Sequence, residues 1–310
     1  MQSTVTVTVV GEALIDIVIP TFGEPAEHIG GSPANVAIGL ARLGHPTQLA
    51  THIGTDARGR RIGEALAAEG VSMVPGSQSA ARTPTATARL DVAGVATYEF
   101  DLDWRLDPAS LDSSAAGHFH TGSIAATLAP GGAGVATAMA AARRHSTVSY
   151  DPNVRPSLMG SPAEVRPVIE HLVGLSDVVK ASEEDLEWLY PGKPLPQVLA
   201  DWAVLGPALV AVTRGGEDAL ILVGGELSDR RPLPSAVVDT VGAGDSFMAG
   251  LISGLVDGGY LGSAEARERL RFAHFDQLAA AVDRALACAA ITVSRAGANP
   301  PTRAELTIDV

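Results

Sequence analysis

The stretch DTVGAGDSFMAG, residues 239–250, sets an acid, Asp245, directly after three residues with little or no side chain, Gly242, Ala243 and Gly244. From Asp245 onward the chain reads as a helix over 245–257. A bare loop running into a helix presents successive backbone N–H groups, and the helix adds about half a positive charge at its first turn. Such a nest suits phosphate oxygens, and above all the charge that builds up on a phosphoryl group during transfer. An acid beside an anion site is costly unless the chemistry uses it. At the helix start, Asp245 is placed to take a proton from a hydroxyl attacking that phosphorus. Taken alone, Asp245 has a plainer reading: an acid that stabilises a helix N-terminus.

A second stretch, GGSPANVAIGLARLG (30–44), has the same grammar. Ser32 suits an N-cap, Pro33 the first helical position and Gly44 the C-terminal cap. Val36, Leu40 and Leu43 give the helix one apolar stripe. Gly30 and Gly31 are not needed for that helix, which leaves close approach of a ligand or unusual backbone angles as their use. Asn35, in the first turn, has an amide that would point at such a ligand. A well-capped core helix explains the segment about as well.

The bulk of the chain limits what these motifs serve. With 310 residues, 46% of them hydrophobic and 18% charged, it is long enough for a large core and has a globular composition. A net charge of −13 argues against nucleic acid and anionic membrane surfaces as partners. A small polyanion is still compatible, because amides and a metal can replace lysines, of which there are only two, Lys180 and Lys193. The single Cys288 allows neither an internal disulfide nor a zinc cluster. No basic-then-apolar leader opens the sequence and no run reaches membrane-spanning length, so a cytoplasmic protein is expected.

The elements that must position these residues are set by periodicity. Short apolar runs at 5–10, 47–54, 118–122, 147–152, 177–182, 208–216 and 219–225 read as strands. Helical patterns at 33–43, 57–69, 133–145, 162–174, 183–190 and 195–205 fall between most of them, and the last third is helical over 245–257, 262–272 and 276–294. Alternation of this kind predicts an α/β fold with a mostly parallel sheet covered on both faces. LIDIVIP (14–20) and TATARLDVAGVATYEFDL (85–102) break the rhythm: both are β-patterned, with a turn expected at Ala93-Gly94. They are expected to pair as a small sheet over the main one, a lid rather than a separate domain.

GG-x-x-x-N followed some two hundred residues later by DT-x-GAGD-x-F resembles the double signature of the ribokinase-like, pfkB-type carbohydrate kinases. GEALIDI, DPNVRP, KASEEDLEWL, VTRGG and SRAGANPP carry the resemblance over nearly the whole chain, and its flavour is that of the fructokinase branch. It implies a single ribokinase-like domain spanning 1–310: a three-layer αβα fold, mostly parallel, with lid segments near 14–29 and 84–105. It implies an ATP-dependent phosphotransferase acting on an alcohol group, with Asp245 as catalytic base and Gly242, Ala243 and Gly244 as anion hole. Arg155 would stand near the substrate and the travelling phosphoryl; Asp16 would accept hydrogen bonds from sugar hydroxyls beside Gly30, Gly31 and Asn35. Thr213 and Gly215 would contact ATP. For Asp151 and Arg155 an ordinary ion pair at a strand end is the alternative.

Metals enter by the same route. Mg²⁺ would be organised through water by an N-x-x-E motif that reads here Ser182-Glu183-Glu184-Asp185, so Asp185 is the expected acid, with Glu183 or Glu184 as substitutes. Asp239 matches a ligand of the monovalent cation, K⁺ in many members, although Pro301 stands where some relatives carry a serine. Relatives that take acidic or phosphorylated sugars need cations to meet the second anion. Asp101 and Asp103 in the lid arm therefore favour a neutral sugar, fructose before ribose. Trp104 is expected to touch the sugar and Phe100 to lie in the lid core. A homodimer through the exposed edges of the lid is expected. Alternatives are a ribokinase, a 2-keto-3-deoxygluconate kinase and a non-catalytic sugar or nucleotide sensor. A dinucleotide-dependent oxidoreductase lacks its G-x-G-x-x-G after strand one, and PGKPLP is no P-loop.

Overall fold

The computed structural model describes residues 5–92, 96–111 and 116–307, so the turn expected at Ala93-Gly94 lies outside the described residues. The chain opens with β1 (Val7–Val10), passes through β2 (Leu14–Ile19) and β3 (Ala26–Gly30), and enters α1 (Ser32–Arg42). β4 (Thr47–Ala50), α2 (Ala57–Ala68) and β5 (Val71–Met73) come next, then the paired arms β6 (Thr85–Leu90) and β7 (Ala96–Asp101). Strand–helix alternation resumes with β8 (His118–Gly122), α3 (Gly131–Ala142), β9 (Thr147–Asp151), the single turn α4 (Pro156–Met159) and α5 (Pro162–Gly174). It continues through β10 (Val178–Ser182), α6 (Glu183–Leu189), α7 (Leu195–Leu205) and β11 (Leu209–Arg214). After the strands β12 (Glu217–Val223) and β13 (Glu226–Arg230), the helices α8 (Ala243–Asp257), α9 (Ala264–Arg271) and α10 (Phe275–Val293) complete the chain.

Nine strands form one sheet in the order β13-β12-β11-β10-β9-β8-β1-β4-β5, parallel from β11 to β5, with β12 and β13 running antiparallel at one edge. Strands this hydrophobic on both faces need a cover on each. One face carries α1, α2, α8 and α10, whose Leu40, Ile62, Ile252 and Val282 are fully buried. The other carries α3, α5, α6 and α7 around Met139, Ile169, Leu189 and Trp202. The three-layer arrangement expected from the alternation is thus the one observed.

The second sheet has four strands in the order β3-β2-β6-β7. β2 and β6 pair in parallel, with Asp16 opposite Ala86, which brings the two far-apart β-patterned segments together as expected. β3 was not foreseen: AEHIG alternates toward solvent and carries little β-forming signal. None of the described helices is long and apolar enough to cross a membrane.

Candidate active site

The parallel strands of the large sheet end along one line, and a cleft of about 940 Å³ lies over those ends, between the large sheet, the small sheet and the start of α8. Placement beyond the carboxyl ends of parallel strands is where open α/β sheets hold ligands. Of the residues singled out from sequence, Asp16, Gly31, Asn35, Arg155, Thr213, Gly215, Gly242, Ala243, Gly244 and Asp245 line this cleft.

Asp245 sits in the first turn of α8 and is 8% exposed, toward the cleft. Gly242 is the N-cap in the left-handed conformation (φ 75°), and a Cβ there would stand 2.5 Å from that of Ala298, so the turn requires glycine. The helix starts two residues earlier than the pattern suggests. Among the described residues no backbone acceptor takes the N–H of Gly244 or Asp245, whereas that of Ala243 meets the carbonyl of Thr240 at 3.3 Å. First-turn N–H groups left open this way are anion donors. Both Asp245 oxygens are held by α1: Ser32 Oγ donates to Oδ1 at 2.6 Å and Asn35 Nδ2 to Oδ2 at 2.8 Å. Ser32 is therefore not the N-cap. Gly31 takes that position at φ 108°, where a Cβ would come within 2.4 Å of the Glu12 carbonyl, and the freed hydroxyl reaches the acid instead.

At the other end of the cleft, Asp16 on β2 remains open to solvent, but the protein around it raises its pKa, against the opposing charges of His28 and Arg155. Gly30 does not line the cleft; it stands against Asp16, and a Cβ there would fall 1.9 Å from Oδ2. Arg155 is exposed, with Nη1 donating to Asn153 Oδ1 at 2.7 Å, and Asn153 itself has φ 38°. Asp151 does not pair with Arg155: its partner is Lys180. Two further cleft residues were missed. Glu12 comes after β1, is 6% exposed, and accepts from the Ala125 N–H at 3.2 Å; burial pushes its carboxyl up to about 7, although Ser123 and Arg155 oppose this. Lys180 lies on β10.

The two lid aromatics exchange the expected roles. Trp104 is 5% exposed, packs on Gly131, donates Nε1–H to the Ala125 carbonyl at 2.8 Å, and belongs to the core under α3. It does not line the cleft; Phe100 does. A tryptophan this deep with its N–H satisfied is a packing residue. Asp101 and Asp103 also lie off the cleft, near Arg82 and near Arg105 and His52. The charged side chains that do line the cleft at this end are Asp16, Glu12 and Arg155.

Thr213 and Gly215 lie where β11 turns into β12, and Thr213 Oγ1 reaches the Ala181 carbonyl at 3.4 Å. Beyond them the cleft is apolar, lined by Leu233, Val237, Val241, Leu286, Ala289 and Val293, a wall suited to a flat aromatic ring. Asp185 points away from the cleft: it is 6% exposed, and its oxygens accept from Val154 N at 2.7 Å and Ser182 N at 2.8 Å. Its carboxylate is committed to starting α6 and holding the turn after β9, and Glu184 is the acid of this motif that lines the cleft. Asp239 accepts from Val241 N at 3.0 Å and Gly297 N at 2.8 Å, which lower its pKa and join the loop before α8 to the one after α10. The described residues contain no cluster of three or more His, Cys, Asp or Glu suited to a metal.

Comparison with known proteins agrees with this geometry. The chain matches the pfkB family of carbohydrate kinases over residues 5–305. It is 34% identical to the fructokinase of Klebsiella pneumoniae over 80% of this chain and 83% of that protein, and 33% identical to that of Escherichia coli over 97% of both. Among solved structures, a double mutant of the Vibrio cholerae fructokinase with fructose, ADP and potassium superposes with a TM-score of 0.81 at 26% identity, over 98% of this chain and 97% of that one. The ATP-bound fructokinase of Xylella fastidiosa gives 0.84 at 25% identity, over 97% and 96%. The large αβα layer structure with its small β sheet is the ribokinase-like fold, and the chain is a member of the pfkB carbohydrate kinase family, a phosphotransferase with an alcohol group as acceptor.

Proposed function

We propose that this kinase transfers the γ-phosphoryl group of ATP to a hydroxyl of a neutral sugar, fructose first, in the cytoplasm. The observation that carries the reading is Asp245: an acid on the cleft wall, oriented through both oxygens by Ser32 and Asn35, one residue from open helix-terminal amides. Fructokinase relatives at 33–34% identity support fructose over ribose, and Asp16 and Asn35 offer the carboxylate and amide that neutral polyols bind well.

In this reading Asp16, Gly31, Asn35 and Phe100 hold the sugar. Asp245 takes the proton of the attacking hydroxyl. The N–H groups at the start of α8, with Arg155, meet the charge that grows on the phosphoryl oxygens. Thr213, Gly215 and Gly242 hold the nucleotide phosphates, and the apolar wall holds the base. Mg²⁺ fits the donor set, because one cleft carboxylate, Glu184, with waters and ATP oxygens is how this ion is usually held. When bound, it neutralises part of the phosphate charge. Asp185 then acts behind Glu184, by fixing the start of α6. Asp239 and the loop at Gly297 are the elements a monovalent cation would use, and the exposed edges of the small sheet are those through which two copies would pair.

A coupled ADP-release assay over fructose, ribose, 2-keto-3-deoxygluconate, inosine and fructose 6-phosphate tests the reading. Turnover should be highest with fructose. Turnover confined to the acidic or phosphorylated compounds would overturn it.

A further inference from the structure

Lys180 is one of two lysines in the chain and stands in the middle of a buried strand. It is 3% exposed, its Nζ is 3.0 Å from Asp151 Oδ2, and it lines the cleft. Strand alternation puts it on the face of Val178 and Ser182, beneath the first turn of α8. A Cβ built on Gly244 would stand 2.9 Å from Nζ, so the ammonium lies directly against the loop that presents the open amides.

A buried lysine with a single carboxylate partner is costly, and a hydrophobic pair of similar volume would cost less. Its surroundings keep it charged: burial pulls its pKa down, but Asp151, Asp185 and Asp245 together raise it. The glycine at 244 leaves open the path from the ammonium to whatever occupies the nest.

We infer that Lys180 is a further catalytic residue, whose ammonium contacts the γ-phosphoryl group from beneath Gly244 and takes up negative charge as that group is transferred, with Asp151 as its positioning partner. The inference rests on the phosphoryl-transfer reading but not on which sugar accepts. During transfer the acceptor oxygen bonds to the γ-phosphorus as the bond to the β–γ bridging oxygen breaks. The electron pair leaves on ADP, the hydroxyl proton passes to Asp245, and Lys180 keeps its protons throughout. The contact therefore distinguishes a triphosphate from a diphosphate.

Because Lys193 is exposed enough to serve as an internal reference, the unsubstituted protein can be tested by NMR of ¹⁵Nζ- and ¹³Cε-labelled lysine. The β,γ-imido analogue of ATP should move the Lys180 resonance, ADP should move it much less, and Lys193 should stay in place. Equal responses of Lys180 to both nucleotides, or none to either, would overturn the inference. Variants supply the second arm. K180M/D151N removes the pair without stranding a charge, and should melt close to the parent and bind ADP within about twofold. It should lose about tenfold in affinity for the imido analogue and about 10²–10³-fold in kcat with fructose. K193M should be unchanged. A double variant that regained the parent's kcat would reduce Lys180 to a structural partner of Asp151. If the parent turned over none of the sugars, the substrate assignment would fail while the nucleotide comparison still decided the role of Lys180.

Discussion

Both oxygens of Asp245 are engaged before any substrate arrives, and that determines how its neighbours should behave on substitution. D245N keeps the size and the contact with Ser32 but cannot accept a proton, so kcat should fall by about 10²–10⁴-fold. Sugar affinity by calorimetry should stay within a few-fold. An unchanged kcat would remove the acid from the mechanism. S32A leaves the carboxylate anchored by Asn35 alone, free to turn out of line; kcat should fall by about tenfold with KM little altered. Asp245, Gly242 and Gly244 stood out by type and spacing, but Asp245 alone reads equally as a helix-terminal acid, and only its pairing with GG-x-x-x-N separates the two readings. Ser32 was legible only as a cap: nothing in GGSPAN shows that Gly31 takes the cap at φ 108° and releases the hydroxyl. Lys180 hid inside DVVKAS, where the apolar pattern draws attention away from it, although a lysine in a buried parallel strand was itself the signal. Trp104 was misread because alternation cannot say which side of a lid arm faces the ligand. W104F should therefore lower the melting temperature, through the lost contact with Gly131 and the Ala125 carbonyl, and leave the sugar KM alone. A rise in KM without loss of stability would return Trp104 to the sugar site.

Two elements meet at the sugar end of the cleft: β2, which carries Asp16, and β3, whose last residue, Gly30, leads through Gly31 into α1. β2 and β3 are antiparallel, with Leu14 opposite Gly30, and the missing Cβ at Gly30 leaves the space that the Asp16 carboxylate fills. G30A places a methyl group into Oδ2 while the backbone stays within reach of a non-glycine residue. The carboxylate must swing aside, so the sugar KM should rise by about tenfold or more, the loss expected for a charge-assisted hydrogen bond of about 1.5–3 kcal/mol, with ATP binding unaffected. Steady-state kinetics varying each substrate in turn checks this, and an equal loss on the ATP side would mean that the whole entry to α1 had moved. Elements with a strong period, such as α1, α2, α8 and the five central parallel strands, were readable from sequence within a residue or two. β5 and β13 were not, being short or partly exposed at sheet edges, and β3 draws its pairing from β2 rather than from its own residues. The positions of Asp101 and Asp103 were equally invisible, since a charge on a lid arm acts on a ligand only if the strand turns it inward.

Across the whole molecule, buried titratable groups of opposite kinds shape stability against pH. His45 is held down to about 4 and His120 to about 3, and His118 lies well below its usual range, all mainly by burial. These rings stay neutral in the folded chain while the unfolded chain takes up protons below about pH 6.5, so their stabilisation is present above that pH and is lost as pH falls. Glu12 and Asp151 work the other way. Burial raises Glu12 to about 7 and Asp151 to about 6, the latter against the attraction of Lys180. Their stabilisation is present below the unfolded carboxyl range and is lost as pH rises toward 6 and 7. Between pH 4.5 and 6.5 the histidines outnumber the acids, so stability should climb gently with pH, the two sets partly cancelling. E12Q removes one opposing group without changing its size. The slope of unfolding free energy on pH should then steepen by about one proton, ~1.4 kcal/mol per pH unit, over that window. By pH 7.5 the variant should have gained about 3 kcal/mol relative to the parent, compared with their difference at pH 4.5. Urea denaturation of both proteins at several pH values gives this difference directly, and a difference that does not change with pH would mean that burial does not raise the Glu12 carboxyl. The same carboxyl lines the sugar end of the cleft, so a pH-dependent sugar KM in the parent that flattens in E12Q would tie the stability cost to the site that the acid serves.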